Sequence, residues 1–362
     1  MPRISTVGAA NLGAFGFASG GPTAYNLTNS LRFRSSASAY LNRTNSTTGT
    51  GQGKTWTYSF WAKLGTLGTF RFFMNAGVTA TSDTSVYIDS SDNLKFLDRT
   101  GATLTTSQVF RDPSAWYHII VAYDSTQATS SNRIKMYVNG SQVTAFGTAT
   151  YPSLNAATSI GSNYSQYIGE QGNLNTNYMD AYMAEVNFID GQQLTPSSFG
   201  ENNTITGVWQ PKKYTGTYGT NGFYLPFTNT TSTTTLGYDF SGNSNNWTTN
   251  NFSLTAGSTY DSMTDVPTLT SATVANYATW NPISAIGGTA SNGNLQFVGS
   301  GQYRINSTIA VNSGKWYYEV NILNAPYTPR ATNTWYNSFG YGLATFFGAT
   351  NSPNSATEGG QQ

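Results

Sequence analysis

AWYHIIVAYDSTQATSSNRIKMYVNGSQV, residues 115–143, alternates as only β structure does. Residues 116–123 form an aromatic-rich strand, with 116, 118, 120 and 122 on one face and 117, 119, 121 and 123 on the other. A polar loop, 124–132, has only Ala128 as an apolar anchor. Ile134, Met136 and Val138 then alternate with Lys135 and Tyr137. Asn139-Gly140 is the dipeptide that best tolerates two successive positive φ angles, so residues 141–144 should return as a third strand. The stretch is a β-meander, a scaffold element without chemistry of its own.

Composition points the same way. Charged residues are 9% of the 362, against about 25% in an average soluble protein. Aromatics at 14% argue against disorder, which needs few of them. A net charge of +1 with no basic run gives no electrostatic case for nucleic acid or an anionic membrane. With no cysteine, disulfides and thiolate metal sites are excluded. No stretch reads as a transmembrane span, and residues 1–21 are too broken by glycine for a signal peptide. We therefore expect synthesis in a cytoplasm, with any later life outside the cell reached by a route other than secretion.

Residues 1–21 read as a Gly/Ala-rich arm, with Leu12, Phe15 and Phe17 available for docking onto other subunits. Strands are expected at 30–33, 39–41, 56–63, 70–74, 85–88, 94–97, 159–161 and 181–189 around the meander. In the 56–63 strand Trp56, Tyr58, Phe60 and Ala62 share a face; Trp61 is the apolar exception among Thr57, Ser59 and Lys63. One helical turn fits 194–200, with Thr195 as N-cap, Pro196 at the first position and Gly200 as the stop. An edge strand fits 222–227. The resulting division is an arm (1–21), a β-sandwich with its following aromatic segment (22–240), an extended connector (241–282) and a second, incomplete β unit (283–362). In that last unit Trp316, Tyr318, Val320 and Ile322 share a face, but three or four strands are too few for an independent sandwich.

WTYSFWAK (56–63), WYHIIVAYD (116–124), KMYVNG (135–140), SIGS (159–162) and AEVNFIDGQQLTPSSFGE (184–201) follow one another in a telling order. Across residues 22–205 the chain resembles the concanavalin A-like jelly rolls of the laminin-G type. SGKWYYEVNI (313–322) with YGLA (341–344) resembles the opening of a SPRY-type sandwich that stops before that family's later strands. NSLRF and SAYL within 29–41, ITGVWQPKKYTGTYGTNGFYLPF (205–227), DFSGNSNNWT (239–248) and NYATWNP (276–282) resemble virion proteins of bacteriophages, notably marine ones. That resemblance implies a virion-surface fibre or adhesin that binds a host-surface glycan or protein receptor. Residues 1–21 would anchor it to other virion proteins, and a homo-oligomer, by family habit a trimer, is expected. The alternative is a head-fibre, decoration or tail-assembly subunit with a mainly structural role.

Catalytic signatures are sparse. Glycan-cleaving jelly rolls need two carboxylates about 5–9 Å apart, usually on one strand as Glu-x-Asp-x-x-Glu, and that spacing is absent: Glu170, Glu185, Glu201 and Glu319 stand apart in sequence. The chain is accordingly expected not to be an enzyme. His118, the only histidine, sits mid-strand without a Cys, Ser or acidic partner at motif distance and reads as structural. GTGQGKT (49–55) has Thr48 where a phosphate loop needs its first glycine and leads into a strand, so it reads as a plain loop. The resemblance to laminin-G domains implies a Ca²⁺ at a loop edge, for which Asp83, Asp124 and Asp180 are the candidate carboxylates. For a glycan, Tyr164 and Tyr167 in GSNYSQYIGE and Trp209, Tyr214 and Tyr218 are candidate aromatic platforms.

Overall fold

The computed structural model describes residues 25–310, apart from residues 78, 80, 81, 173 and 272. The expected arm at 1–21 and the SPRY-like segments at 313–322 and 341–344 lie outside the described residues. In chain order the strands are β1 (Ser30–Phe33), β2 (Tyr40–Thr44), β3 (Thr55–Leu64), β4 (Arg71–Ala76), β5 (Thr84–Ile88), β6 (Asn93–Asp98) and β7 (Ala102–Val109). Next come β8 (Trp116–Asp124), β9 (Ile134–Val138), β10 (Ser141–Gln142), β11 (Phe146–Thr150), β12 (Ser165–Ile168) and β13 (Ala181–Asp190). The last are β14 (Gly200–Asn202), β15 (Trp209–Pro211), β16 (Phe223–Leu225), β17 (Thr248–Asn250), β18 (Ser262–Met263), β19 (Ile286–Ser291) and β20 (Gln296–Arg304).

Two antiparallel sheets face each other. The first runs β10-β9-β8-β3-β13-β1-β18, with β16 also paired to β13; the second runs β11-β7-β6-β5-β4-β12-β2-β17. Between them lies one apolar core. Trp56, Tyr58 and Phe60 of β3 enter it, as expected from period two. Trp56 stacks on Tyr123 of β8 at 5.3 Å and 10°, and its indole N–H donates to Thr158 Oγ1 at 2.9 Å. The meander is β8-β9-β10, with Asn139 and Gly140 both at positive φ. The helical turn at Pro196–Ser198 follows Thr195, whose side chain makes no cap hydrogen bond.

Among the strands that escape the sequence reading are β7, β11 and β12. β7 and β11 are rich in Ser, Thr, Gln and Gly, without a clear apolar face. β12 sits between β4 and β2, whereas the strand expected at 159–161 is a bend and turn. There Gly161 has φ +79°, and the single Thr158 hydroxyl proton is shared between the Gly53 and Ile160 carbonyls, each 2.9 Å from Oγ1.

The outer faces differ along the sheets. β6 and the first part of β7 alternate buried and half-exposed residues, whereas β13 is buried at every position, as are the shorter β4 and β5 of the second sheet. A strand buried on both faces must be covered on both. Over the first sheet the cover is the chain that follows. Phe199, Tyr214 and Tyr218 pack on Ile120, Ala122 and Ile189, while Trp209, Met263, Val266 and Leu295 pack around Trp61, Trp116 and Tyr182. The 241–282 stretch, expected to be an extended connector, supplies β17 to one sheet and β18 to the other.

Charge fastens this cover. Lys63 is fully buried on the outer face of β3, where its ammonium donates to Asp265 Oδ2 (2.8 Å), Asn276 Oδ1 (2.8 Å) and the Tyr277 carbonyl. Trp116 Nε1–H donates to the other Asp265 oxygen at 3.0 Å. Arg34 binds Asp261 through Nε (2.7 Å) and Nη2 (2.9 Å), and Arg32 Nε reaches the same carboxylate at 3.2 Å. Buried charges persist when paired and hydrogen-bonded, and these are.

Candidate functional site

The loop 49–55 that superficially resembles a phosphate cradle is already occupied by the chain. Asp190 Oδ2 accepts the Thr50 N–H at 2.6 Å and the Asn221 N–H at 2.9 Å, and Oδ1 accepts the Gly51 N–H at 2.7 Å. A Cβ on Gly51 would lie 1.9 Å from the Thr55 carbonyl oxygen, so the loop is drawn tight around this internal anion. Asp190→Ala should cost at least about 2 kcal/mol, because it leaves three amides without their acceptor; a urea melt checks it.

His118 is held equally closed. Trp209 Nε1–H donates to His118 Nδ1 at 2.9 Å, and His118 Nε2 meets Ser59 Oγ at 2.9 Å. An indole only donates, so Nδ1 must be the acceptor and Nε2 carries the proton. Trp61 stacks on the ring at 4.8 Å and 11°. Burial pushes the imidazole down to about 3. This neutral, sandwiched ring holds the covering segment to the sheet.

The outer face of the second sheet is where a hollow opens. Its volume is about 430 Å³. The β4 sequence RFFMNA cannot keep strict alternation, because Phe73 and Met74 both enter the core. A bulge between Phe72 and Met74 resolves this and turns Phe72 outward. Phe72 pairs across with Tyr87, their rings stacked at 4.7 Å and 16°, and Tyr87 pairs with Lys95, whose ammonium lies 5.9 Å from the Tyr87 ring centre. Phe70, 37% exposed, leans over this pair at 6.1–6.2 Å. The floor is thus aromatic, with one ring offered to solvent.

Polar groups rim it. Asp83 Oδ2 accepts from Asn75 Nδ2 (2.9 Å) and Ser85 Oγ (3.1 Å), and Oδ1 pairs with Arg99 Nε. Asp89 Oδ1 accepts the N–H groups of Ser91 (2.9 Å) and Asn93 (3.1 Å). The far wall is the hairpin after β12, where Asn177 Nδ2 donates to Gln171 Oε1 at 2.9 Å and both residues line the hollow. Gly172 lies flat on the Tyr167 ring; a Cβ there would come within 2.1 Å of it. In the same hairpin Glu170 is buried with neither carboxylate oxygen hydrogen-bonded, and burial raises its carboxyl to about 7.

The aromatics singled out in the sequence do not converge. Tyr164 is exposed at 39%, and Tyr167 lies under Gly172. Trp209, Tyr214 and Tyr218 belong to the cover over the first sheet: Trp209 donates to His118, Tyr214 to the Thr217 carbonyl and Tyr218 to Asn187 Oδ1. The three candidate carboxylates are likewise separate. Asp83 is engaged as described, Asp124 accepts from Thr126 and Gln127, and Asp180 accepts from Thr66 and the Gly293 N–H. Among the described residues no three His, Asp or Glu side chains converge on a metal position.

Residues 35–198 match the family model of the concanavalin A-like lectin/glucanases superfamily. The sandwich is a concanavalin A-like jelly roll. Solved structures of similar fold include a heptameric SAP-like pentraxin of Limulus polyphemus, 13% identical, covering 48% of this chain and 80% of the pentraxin at a TM-score of 0.34. A Bacteroides ovatus protein assigned as carbohydrate binding is 16% identical, covering 62% of this chain and 58% of that one at 0.39. A sialidase of Trypanosoma rangeli is 15% identical, covering 40% of this chain and 22% of the sialidase at 0.29. No curated protein sequence matches the chain. Within the jelly roll the hollow takes in Phe70, Phe72, Tyr87, Lys95 and Arg99, none of which the sequence reading proposed as ligand contacts. One signal was available. FRFF at 70–73 packs three phenylalanines into four positions, more than one core face of a strand can use.

Proposed function

We propose that the jelly roll is a non-catalytic glycan-binding module, with its ligand seated in the hollow on the outer face of the second sheet. The observation that carries this reading is the asymmetry of the sandwich. One outer face is covered by the later chain; the other keeps an open hollow in which Phe70 is exposed above the buried Phe72–Tyr87 pair, with a polar rim. A sugar ring presents C–H groups on its faces and hydroxyls at its edge, and such a floor and rim complement both.

Two further points support binding over cleavage. Glu170 and Glu185, whose carboxyls burial raises to about 7, are the groups best tuned for proton donation at neutral pH. They serve different sheets: Glu170 follows β12 beside Tyr40 and Tyr178, and Glu185 sits in β13 beneath Tyr25 and Tyr224. Cleavage needs a pair about 5–9.5 Å apart around one bond. In the hollow itself, Asp83 is tied to Asn75, Ser85 and Arg99.

The resemblance to phage virion proteins makes a host-surface glycan the natural ligand, and a fibre or adhesin on the particle the natural setting. Phe70→Ala tests the site with little risk to folding, since the ring is partly exposed and precedes β4. It should weaken binding to host-envelope polysaccharide by roughly tenfold, the equivalent of one lost aromatic contact, with an unchanged melting temperature. Unaltered binding by Phe70→Ala, or no binding by the parent protein, would count against the proposal.

A further inference from the structure

Two cationic side chains share this hollow, and their hydrogen-bonding capacity is mostly unspent. Lys95 is half-exposed and makes no ion pair or hydrogen bond among the described residues; its ammonium has only the Tyr87 ring, at 5.9 Å. Arg99 uses Nε for Asp83 Oδ1, and its terminal nitrogens have no hydrogen-bond partner among the described residues. Elsewhere Arg32, Arg34, Lys63 and Arg71 are buried and paired with aspartates.

The acidic groups on the rim are committed differently. Asp83 is fully buried, held by Asn75 and Ser85 and balanced by Arg99. Asp89 spends Oδ1 on the two amides of its own turn. Its free oxygen can accept a sugar hydroxyl, but it forms no ion pair with Lys95.

Building on the binding role proposed above, we infer that the hollow selects an acidic sugar. Its ring would pack against Phe70 over the Phe72–Tyr87 floor, and its anionic substituent, carboxylate or sulfate, would be received by Lys95 and Arg99. A charge-assisted hydrogen bond in a partly enclosed hollow is stronger than one between neutral groups, so the anionic substituent should dominate selectivity.

The test uses the full chain and three probes of matched length: an oligogalacturonate, its carboxyl-reduced neutral counterpart, and a sulfated form of the neutral oligomer. The parent protein should bind at least one acidic probe roughly tenfold more tightly than the neutral one, with affinity falling as salt rises. Lys95→Gln should remove most of that preference with an unchanged melting temperature. The relative affinities of the first and third probes separate carboxylate from sulfate recognition. Equal binding of acidic and neutral probes, or a preference that survives both Lys95→Gln and Arg99→Gln, would overturn acidic selection. Phe70→Ala keeps the two ideas apart: if it still weakens binding roughly tenfold, the glycan site stands and only its selectivity is wrong. Failure of every probe to bind overturns both.

Discussion

Asp261→Ala should destabilise the protein by about 3–5 kcal/mol, the cost of leaving buried charge uncompensated. Asp261 has no exposed surface, and Arg32 and Arg34 are 1% and 9% exposed. The carboxylate accepts Arg34 in a bidentate fork, Arg32 Nε at 3.2 Å and the Ser253 N–H at 2.9 Å. Arg32 also donates to the carbonyls of Ser258, Tyr260 and Asn292, so the guanidinium cannot leave without releasing that segment. Alanine at 261 would thus strand two cations and loosen the cover near β18 together. Asp261→Asn, which keeps the shape and one acceptor, should lose less. Urea melts of the parent and both variants give the comparison. A loss under about 1 kcal/mol for Asp261→Ala would mean that the covering segment merely rests on the sheet.

Stability should also peak on the acid side of neutrality, with two buried groups setting opposite slopes. The folded protein keeps His118 neutral down to about pH 3, whereas the unfolded chain takes up that proton near 6.5. Between those values the unfolded state binds more protons, so stability falls as the pH falls, by roughly 5 kcal/mol over the whole window. Glu185 acts in reverse. Its carboxyl rises from 4.5 to about 7, so the folded state holds a proton that the unfolded state has lost. Stability from this group is present at low pH and lost as the pH rises through 7, roughly 3 kcal/mol in all.

Proton counting in the structure supports the raised carboxyl. Tyr25, Tyr224 and Glu185 close a ring of three contacts at 2.8–2.9 Å. Two tyrosine hydroxyls supply two protons, and the third contact is a hydrogen bond only when Glu185 is protonated. Glu170, raised by burial in the same way, adds a second contribution of the same sign. Melting temperatures taken from pH 3.5 to 8 should therefore be highest near about pH 5. Glu185→Gln should flatten the neutral limb, and His118→Gln the acid limb. Parallel profiles for the parent and His118→Gln would show that the imidazole titrates freely.

The sheet framework was legible because the core strands obey period two. Trp56, Tyr58 and Phe60, or Ile119, Val121 and Tyr123, reveal a buried face with no tertiary knowledge. The covering was harder to read, since Lys63, Arg32 and His118 look like solvent-facing residues until a later segment arrives to pair with them. Trp61 was the warning: an indole on a polar face announces a second buried surface. The hollow was least legible, because it depends on a bulge at Phe72 and on pairing among β4, β5 and β6 that no local pattern specifies.

The cover over the first sheet also separates what is inherited from what can fold. The family match spans residues 35–198, whereas Asp265, Asn276 and Tyr277, which receive the Lys63 ammonium, lie beyond it and Arg32 and Arg34 lie before it. Grafted alone onto another protein, the matched segment would carry an orphaned Lys63 ammonium and an imidazole without its Trp209 roof on one side. Any evolutionary shuffling of this jelly roll must therefore move the later strands with it, as a lid travels with its box.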